Sequence, residues 1–256
     1  MSCVRVFLTG ASSGIGEALA RHYAGRGATL GLYARREAEL NRVAAALAPA
    51  TVATYAGDVR DAAALARAGA DFIARFGVPD VVIGNAGISR GVLTGEAADL
   101  PVFQAVFDTN VQGLVQTFQP FLTAMLEARR GVLVGVASVA GFRGLPGSGA
   151  YSASKAAAIT YLESLRVELQ GSGVAVVTIC PGFIATPMTA GNPYWMPFLL
   201  APDKAARLIA RAIERCRRFY VLPWQMAWVG RLLKLAPRPL HDFAFARAGR
   251  KPRQIP

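Results

Sequence analysis

Val4-Arg5-Val6-Phe7-Leu8-Thr9-Gly10-Ala11-Ser12-Ser13-Gly14-Ile15-Gly16 is the stretch that decides how this chain folds. Val4 to Leu8 reads as a short apolar strand, a glycine-rich turn follows, and a helical pattern then runs to about Arg26. Strand, glycine turn and helix start come in the order that a dinucleotide site requires. Gly10 permits the tight turn, Gly14 lets the backbone approach a pyrophosphate, and Gly16 lets the helix pack close on the sheet. Free N–H groups and the helix dipole attract phosphates at this point. Ser12, Ser13 and Ile15 complete the turn and join the glycines as candidate cofactor contacts.

Outward from that turn, apolar strand patterns near 3–9, 28–34, 50–56, 80–84, 131–137, 173–180 and 219–222 alternate with helical ones. The alternation predicts an α/β chain, a doubly wound parallel sheet of the Rossmann kind with helices on both faces. At 256 residues it can bury one large core, and no serine- or proline-rich linker divides it. The expected organisation is a single domain over 1–222 and a basic, aromatic extension over 223–256.

A second constellation carries chemistry. Tyr151 and Lys155 lie four residues apart in AYSASK, so on a helix they share a face. A free tyrosine titrates near roughly 10, and acid–base work near neutrality requires moving it by about three units. A nearby cation favours the phenolate and supplies much of that shift. Ser138 ends the apolar run Val132 to Ala137, which reads as a buried strand delivering a hydroxyl to the same cleft, where it could hold a substrate oxygen. A lone YxxxK pair on a helix is usually a solvated pair; its company here changes the reading.

Together these residues resemble the short-chain dehydrogenase/reductases, in the form with a TGxxxGIG turn and a YxxxK pair. The resemblance covers residues 3 to about 190 and extends to Gly84-Asn85-Ala86-Gly87, Asn110, and Pro181-Gly182 followed by Thr186. It implies that Tyr151 is the general acid/base, that Ser138 polarises the substrate oxygen, and that Lys155 binds the nicotinamide ribose while lowering the tyrosine pKa. Asn110 would hold a water joining Lys155 to solvent, or serve as a helix-interior amide in a kink. Asn85 would stabilise the central sheet, with Ala86 and Gly87 leaving room for the adenosine half of the cofactor. Asp58, with Val59 beside it, resembles the family's adenine contact, against the plainer reading of a capping aspartate. After Pro181-Gly182, Ile184 and Thr186 would meet the carboxamide. The family commonly assembles as homodimers or homotetramers.

The choice of nicotinamide cofactor is made at the end of the second strand. An acidic residue there would bind the ribose 2′-hydroxyl, but this chain has Ala34-Arg35-Arg36. With no carboxylate to repel it and guanidinium to fork onto it, a 2′-phosphate is preferred, which predicts NADP(H) over NAD(H), with Arg35 the favoured contact and Arg36 the second.

Cys3, Cys180 and Cys216 are too few and too scattered for a disulfide framework, and no His or Cys cluster has metal-ligand spacing. Cys180 reads as a small core residue, and His22 and His241 as structural. Strand 1 begins almost at the N-terminus and no run of about 18 apolar residues appears, so the expectation is a cytoplasmic protein that does not span a membrane.

The charge is uneven. Residues 203–256 carry 13 Lys and Arg against 3 acids, whereas residues 1–202 carry 15 against 13. In Trp224 to Leu235, aromatic and aliphatic residues alternate with Arg231 and Lys234, and Pro237 and Pro239 then interrupt any continuous helix. Three readings fit this tail. Its apolar face closes the substrate pocket or meets a second subunit; it lies in a membrane interface; or it binds nucleic acid, which the lack of a recognition motif disfavours.

Residues 186–202 form the expected substrate lid, with Tyr194 and Trp195 among its apolar groups and Phe142 and Leu145 lining the other wall of the cleft. Such a pocket suits a lipophilic ligand. Arg143 is a weaker candidate for meeting an acidic group. The expected activity is an NADP-dependent interconversion of a ketone or aldehyde and its alcohol on a lipophilic small molecule. The alternatives are a reductase of carrier-linked 3-oxoacyl chains and, in another class, a non-catalytic protein that senses NADPH and regulates a partner.

Overall fold

The computed structural model describes residues 4–192, 195–246 and 249–253. Among them, the strands β1 (Arg5–Thr9), β2 (Thr29–Ala34), β3 (Val52–Ala56), β4 (Val81–Gly84), β5 (Gly131–Val136), β6 (Val174–Pro181) and β7 (Phe219–Leu222) form one sheet in the order β3-β2-β1-β4-β5-β6-β7. Every neighbouring pair is parallel. Strands buried on both faces read as near-continuous apolar runs, which is why each of the seven sequence patterns matches a strand to within a few residues.

The helices are α1 (Gly14–Ala24), α2 (Glu37–Ala45), α3 (Ala62–Phe76), α4 (Leu100–Phe107), α5 (Gly113–Glu127), α6 (Gly149–Glu168), α7 (Pro202–Glu214), α8 (Trp224–Leu235) and α9 (Arg238–Phe245). One face of the sheet is covered by α1, α2 and α7, through Leu19, Leu40, Ile209 and Ile213. The other is covered by α3, α5 and α6, through Phe72, Phe121 and Leu162. Two apolar layers on a parallel sheet are the expected doubly wound architecture in a single domain. Chain order reverses between β1 and β4: β1 is followed outward by β2 on one side, and β4 leads to β5 on the other. The crevice at the carboxyl ends of those two strands is where ligands bind in open α/β sheets.

Three local features position the site. β5 ends at Val136, and Ala137 still donates to the Ile179 carbonyl at 2.7 Å, so Ser138 leaves the sheet from a fixed register. α6 begins at Gly149 and places Tyr151 in its first turn and Lys155 one turn on. Between α4 and α5, Asp108–Gln112 forms a π-helical turn that contains Asn110, where the sequence reading allowed for a kink; such turns are frequent at functional sites.

After β7 the chain enters α8, which ends at Leu235, and it resumes as α9 with Pro237 at the cap and Pro239 in the first turn. Proline is tolerated there because the first N–H groups of a helix have no intrahelical partner. The inner side of α8 carries Met226 and Gly230, which meet Gly182 and the Phe142 ring. No helix among the described residues is long and apolar enough to cross a membrane.

Candidate active site

The glycine turn opens onto a cavity lined by Gly10, Ser12, Ser13, Gly14 and Ile15, by Ala34, Arg35 and Arg36 from the end of β2, and by Gly57 and Val59 after β3. Asn85, Ala86, Gly87 and Ile88 after β4, Thr109 from the π-helical turn, and Thr186, Pro187 and Met188 from the segment after β6 complete its walls. Gly10 has φ +69°, a left-handed conformation suited to glycine, and a Cβ on Gly16 would collide with the Gly10 carbonyl. Asn85 is a tie between strands: its Nδ2 donates to the carbonyls of Thr9 (3.1 Å) and Gly10 (3.2 Å), while the Thr9 hydroxyl accepts from the N–H of Asn85. The turn is thereby fixed to the adjoining strand end.

The two arginines after β2 take different partners. Arg36 Nη2 donates to the Ser12 hydroxyl at 3.2 Å and to the Ser13 hydroxyl at 3.0 Å. Arg35 faces Asp58 at 3.6 Å, and Asp58 is also held by Arg60 at 2.8 Å. Burial pushes the Asp58 carboxyl up, but hydrogen bonds from Arg60 and the charge of Arg35 hold it below the usual carboxylate range. The sequence favoured Arg35 over Arg36 as a phosphate contact; in the structure both line the cavity, Arg36 reaching the turn serines and Arg35 facing Asp58.

Beyond this cavity, Ser138 follows the end of β5, and α6 carries Tyr151 and Lys155. The Ser138 oxygen accepts the Ala140 N–H at 3.1 Å and donates to the Pro181 carbonyl at 3.4 Å. The second contact is near the limit of a hydrogen bond, so the hydroxyl proton is readily turned to another acceptor. Lys155 is buried, donates to the Val136 carbonyl at 2.8 Å, and has its ammonium 5.9 Å from the centre of the Tyr151 ring. Burial pulls its pKa down to about 8, with the Cys180 thiol acting in the opposite sense. Burial likewise pushes Cys180 up to about 12, as suits the inert core thiol expected from the sequence.

Asn110 spends its side chain on the scaffold. Its Oδ1 accepts the Ile88 N–H at 2.8 Å, and its Nδ2 donates to the Ile88 carbonyl at 2.9 Å and to the Ser154 hydroxyl at 3.0 Å. Ser154 in turn donates to the Tyr151 carbonyl at 2.8 Å. This chain locks the first turn of α6 to the loop after β4. Ser154 was not singled out from sequence, because a serine one place before Lys155 has no signal until the fold puts Asn110 opposite it.

The expected substrate contacts are placed less uniformly. Phe142 stacks on Phe219 at 5.9 Å and packs under Gly230. The Leu145 carbonyl accepts the Ser148 N–H at 3.0 Å, at the entry to α6. Arg143 donates to the carbonyls of Leu233, Lys234 and Ala236, and so caps α8 rather than facing a ligand. The expected lid segment is tied at its base, where Ile184 bridges Leu200 and Ala185 donates to the Leu200 carbonyl at 2.9 Å. Trp195 on that lid is 84% exposed, and Tyr194 lies outside the described residues. At the end of β6, the Pro181 carbonyl accepts from Ser138, and Gly182 donates to the Leu222 carbonyl at 2.7 Å.

A strand-turn-helix cradle beside a serine, a tyrosine and a buried lysine is an arrangement able to move a proton next to a bound dinucleotide. A family model described as short chain dehydrogenase matches residues 5–196. The chain belongs to the short-chain dehydrogenases. It is 41% identical over 249 residues to an uncharacterised oxidoreductase of Myxococcus xanthus, covering 96% of this chain and 98% of that one. An 11-beta-hydroxysteroid dehydrogenase A of Sesamum indicum is 34% identical over 265 residues, spanning 90% of this chain and 75% of the relative. A short-chain dehydrogenase/reductase from Burkholderia phymatum, solved in complex with NAD, superposes with a TM-score of 0.83 at 25% identity over 99% of both chains. As a short-chain dehydrogenase the protein is an oxidoreductase of a family that binds nicotinamide cofactors.

Proposed function

We propose that this short-chain dehydrogenase uses NADP(H) to interconvert a ketone or aldehyde and its alcohol on a lipophilic small molecule. The observation that carries the reading is Lys155, whose ammonium lies 5.9 Å from the centre of the Tyr151 ring and beside Gly87, a wall residue of the cavity that the glycine turn opens. The residues present fit a nicotinamide dinucleotide: the Gly16 contact excludes a side chain from the cradle, and Arg36 stands over the turn serines. Bound there, the cofactor supplies or takes the hydride.

The chain's own residues handle the oxygen and the proton. In the direction of reduction, Ser138 donates a hydrogen bond to the carbonyl oxygen and steadies its growing negative charge. Tyr151 gives that oxygen its proton. The Lys155 ammonium stabilises the phenolate left behind, and in the direction of oxidation that phenolate takes the alcohol proton. Asn110 and Ser154 hold Tyr151 in place through its backbone.

Preference for NADP(H) is supported by the absence of a carboxylate in Ala34-Arg35-Arg36 and by Arg36 at the turn. A lipophilic substrate is supported by the exposed apolar groups Met188, Phe198 and Leu199 on the lid. Contact with a membrane surface is supported by the outer side of α8, where Trp224, Trp228, Leu232 and Leu235 share one exposed stripe and Arg231 lies over the Trp228 ring at 5.3 Å.

NADPH oxidation against ketones and aldehydes of increasing apolar length tests the reading, with Tyr151→Phe as the control. Turnover should rise with chain length and fall about a hundredfold or more in Tyr151→Phe, with NADPH affinity retained. Residual activity within about tenfold of the parent would remove Tyr151 from its role.

A further inference from the structure

Residues 249–253 return to the mouth of the catalytic cleft and are built into it. Arg253 grips the buried Asp99, with Nε 2.9 Å from one carboxylate oxygen and Nη2 3.2 Å from the other, and it also reaches Glu96 at 3.2 Å. Arg253 bridges Gly91 as a strand partner would. Two glycines make the approach possible: a Cβ on Gly91 would collide with the Lys251 carbonyl, and one on Gly147 would come within 2.9 Å of Arg250. The segment is thus seated between the loop after β4 and the loop that leads into α6.

That seating carries Lys251 to the catalytic tyrosine. Its Nζ donates to the Ser89 hydroxyl at 2.7 Å and lies 5.8 Å from the centre of the Tyr151 ring. Lys155 lies 5.9 Å from the same centre. Lys251 also lines a recess with Arg36, Arg90, Ser89, Met188 and Asn192, a wall with three cations and no carboxylate among the described residues. Burial, and then the charge of Arg90, lower its pKa. A part-buried ammonium whose described partners are one neutral hydroxyl and one aromatic ring, with no anion, is under-compensated, and an anionic oxygen group completes it.

We infer that Lys251 is a substrate-binding residue of the cleft that holds an anionic oxygen group of the substrate close to the carbonyl presented to Tyr151. This rests on the carbonyl-reductase reading and narrows its substrate to a molecule with an apolar body and an acidic group, such as an oxo acid. The shared chemistry, an ammonium meeting a carboxylate or phosphate, could also be satisfied by the phosphates of the cofactor. The geometry favours the substrate, because Lys251 stands at the proton donor.

The experiment measures NADPH oxidation by the whole chain with a set of oxo acids and their methyl esters, alongside NADPH affinity from its fluorescence. The parent should prefer each acid over its ester by about tenfold or more in kcat/KM. Lys251→Gln should raise KM for the acids by about ten- to a hundredfold relative to the esters, with NADPH affinity within about threefold of the parent, and any change in kcat from the cation lost beside Tyr151 should be the same for acid and ester. Lys251→Arg should restore much of the preference. Arg253→Leu, which frees the segment without touching Lys251, should reproduce the selective loss.

Equal handling of acid and ester by the parent, or equal damage to both in Lys251→Gln, overturns the inference. So does weakened NADPH binding with the acid preference intact, which would assign the ammonium to the cofactor. Absence of turnover with acids and esters alike would count against the reductase reading instead. Lys251 is then judged by whether the oxo acid perturbs NADPH fluorescence in the parent and not in Lys251→Gln.

Discussion

Burial of Lys155 carries a stability cost. Its folded pKa is about 8, against 10.5 for an ordinary lysine. Burial of the ammonium therefore costs on the order of 3 kcal/mol at neutral pH. The Val136 hydrogen bond returns about 1–2 kcal/mol of that. Between pH 8 and 10.5 the unfolded chain binds more protons than the folded one, so the stability of the parent rises across that window. Lys155→Met should thus raise the melting temperature of the cofactor-free protein by roughly 3–6 °C at pH 7. The gain should shrink above pH 8 and reverse near pH 10.5, where only the lost hydrogen bond remains. Thermal melts of parent and variant at the two pH values check this, and a lower melting temperature for Lys155→Met at pH 7 would show that the ammonium is not the strained group. Lys155 and Tyr151 were legible in the sequence because a helix turns a spacing of four into a shared face. Ser154 and Lys251 were not, because each reaches the site through contacts with residues distant in the chain, Asn110 in one case and Asp99 through Arg253 in the other.

On the proposed reading, the junction of β2 and α2 sets the cofactor preference. The strands themselves were legible, since burial on both faces makes each an apolar run, and β2 ended where the pattern placed it. Which arginine stands at the glycine turn was not legible, because Arg35 and Arg36 are neighbours in sequence and only the fold places Arg35 against Asp58 and Arg36 against Ser12 and Ser13. A guanidinium already parked on the two turn hydroxyls needs little reorganisation to fork onto a 2′-phosphate. Arg36→Ala should therefore weaken NADPH binding by about ten- to a hundredfold and leave NADH within about twofold, while Arg35→Ala should do less. Titrating both nucleotides against both variants checks it; a larger loss in Arg35→Ala would return the assignment to the order favoured by the sequence. The lid was legible as a loop, but not how far its apolar groups stand from the core, since Trp195 would carry the same letter in a pocket or in water.

Across the whole molecule, the positive charge and the uncovered apolar surface coincide. Of the formal charge of +12, the stretch 203–256 carries most, with 13 cations against 3 acids. The same stretch exposes Trp224 at 69% and Phe243 at 84%, together with Trp228, Leu232, Leu235 and Leu240. The sequence showed the helix and its cations. It could not show that Met226 and Gly230 would spend only the inner side on the core and leave the outer stripe bare. Tryptophans beside Arg231, Lys234 and Arg238 suit the headgroup region of an anionic bilayer, where each cation contributes about 1 kcal/mol. Three of them amount to roughly a hundredfold in affinity over a neutral bilayer. The protein should float with phosphatidylserine-containing vesicles, float poorly with phosphatidylcholine alone, and be released by raised salt as the charges are screened. Trp228→Ser with Leu232→Ser should abolish flotation without lowering turnover of a water-soluble ketone. Recovery in the soluble fraction with either lipid, together with a dimer that those same substitutions dissociate, would instead make the stripe an interface between two copies of the chain.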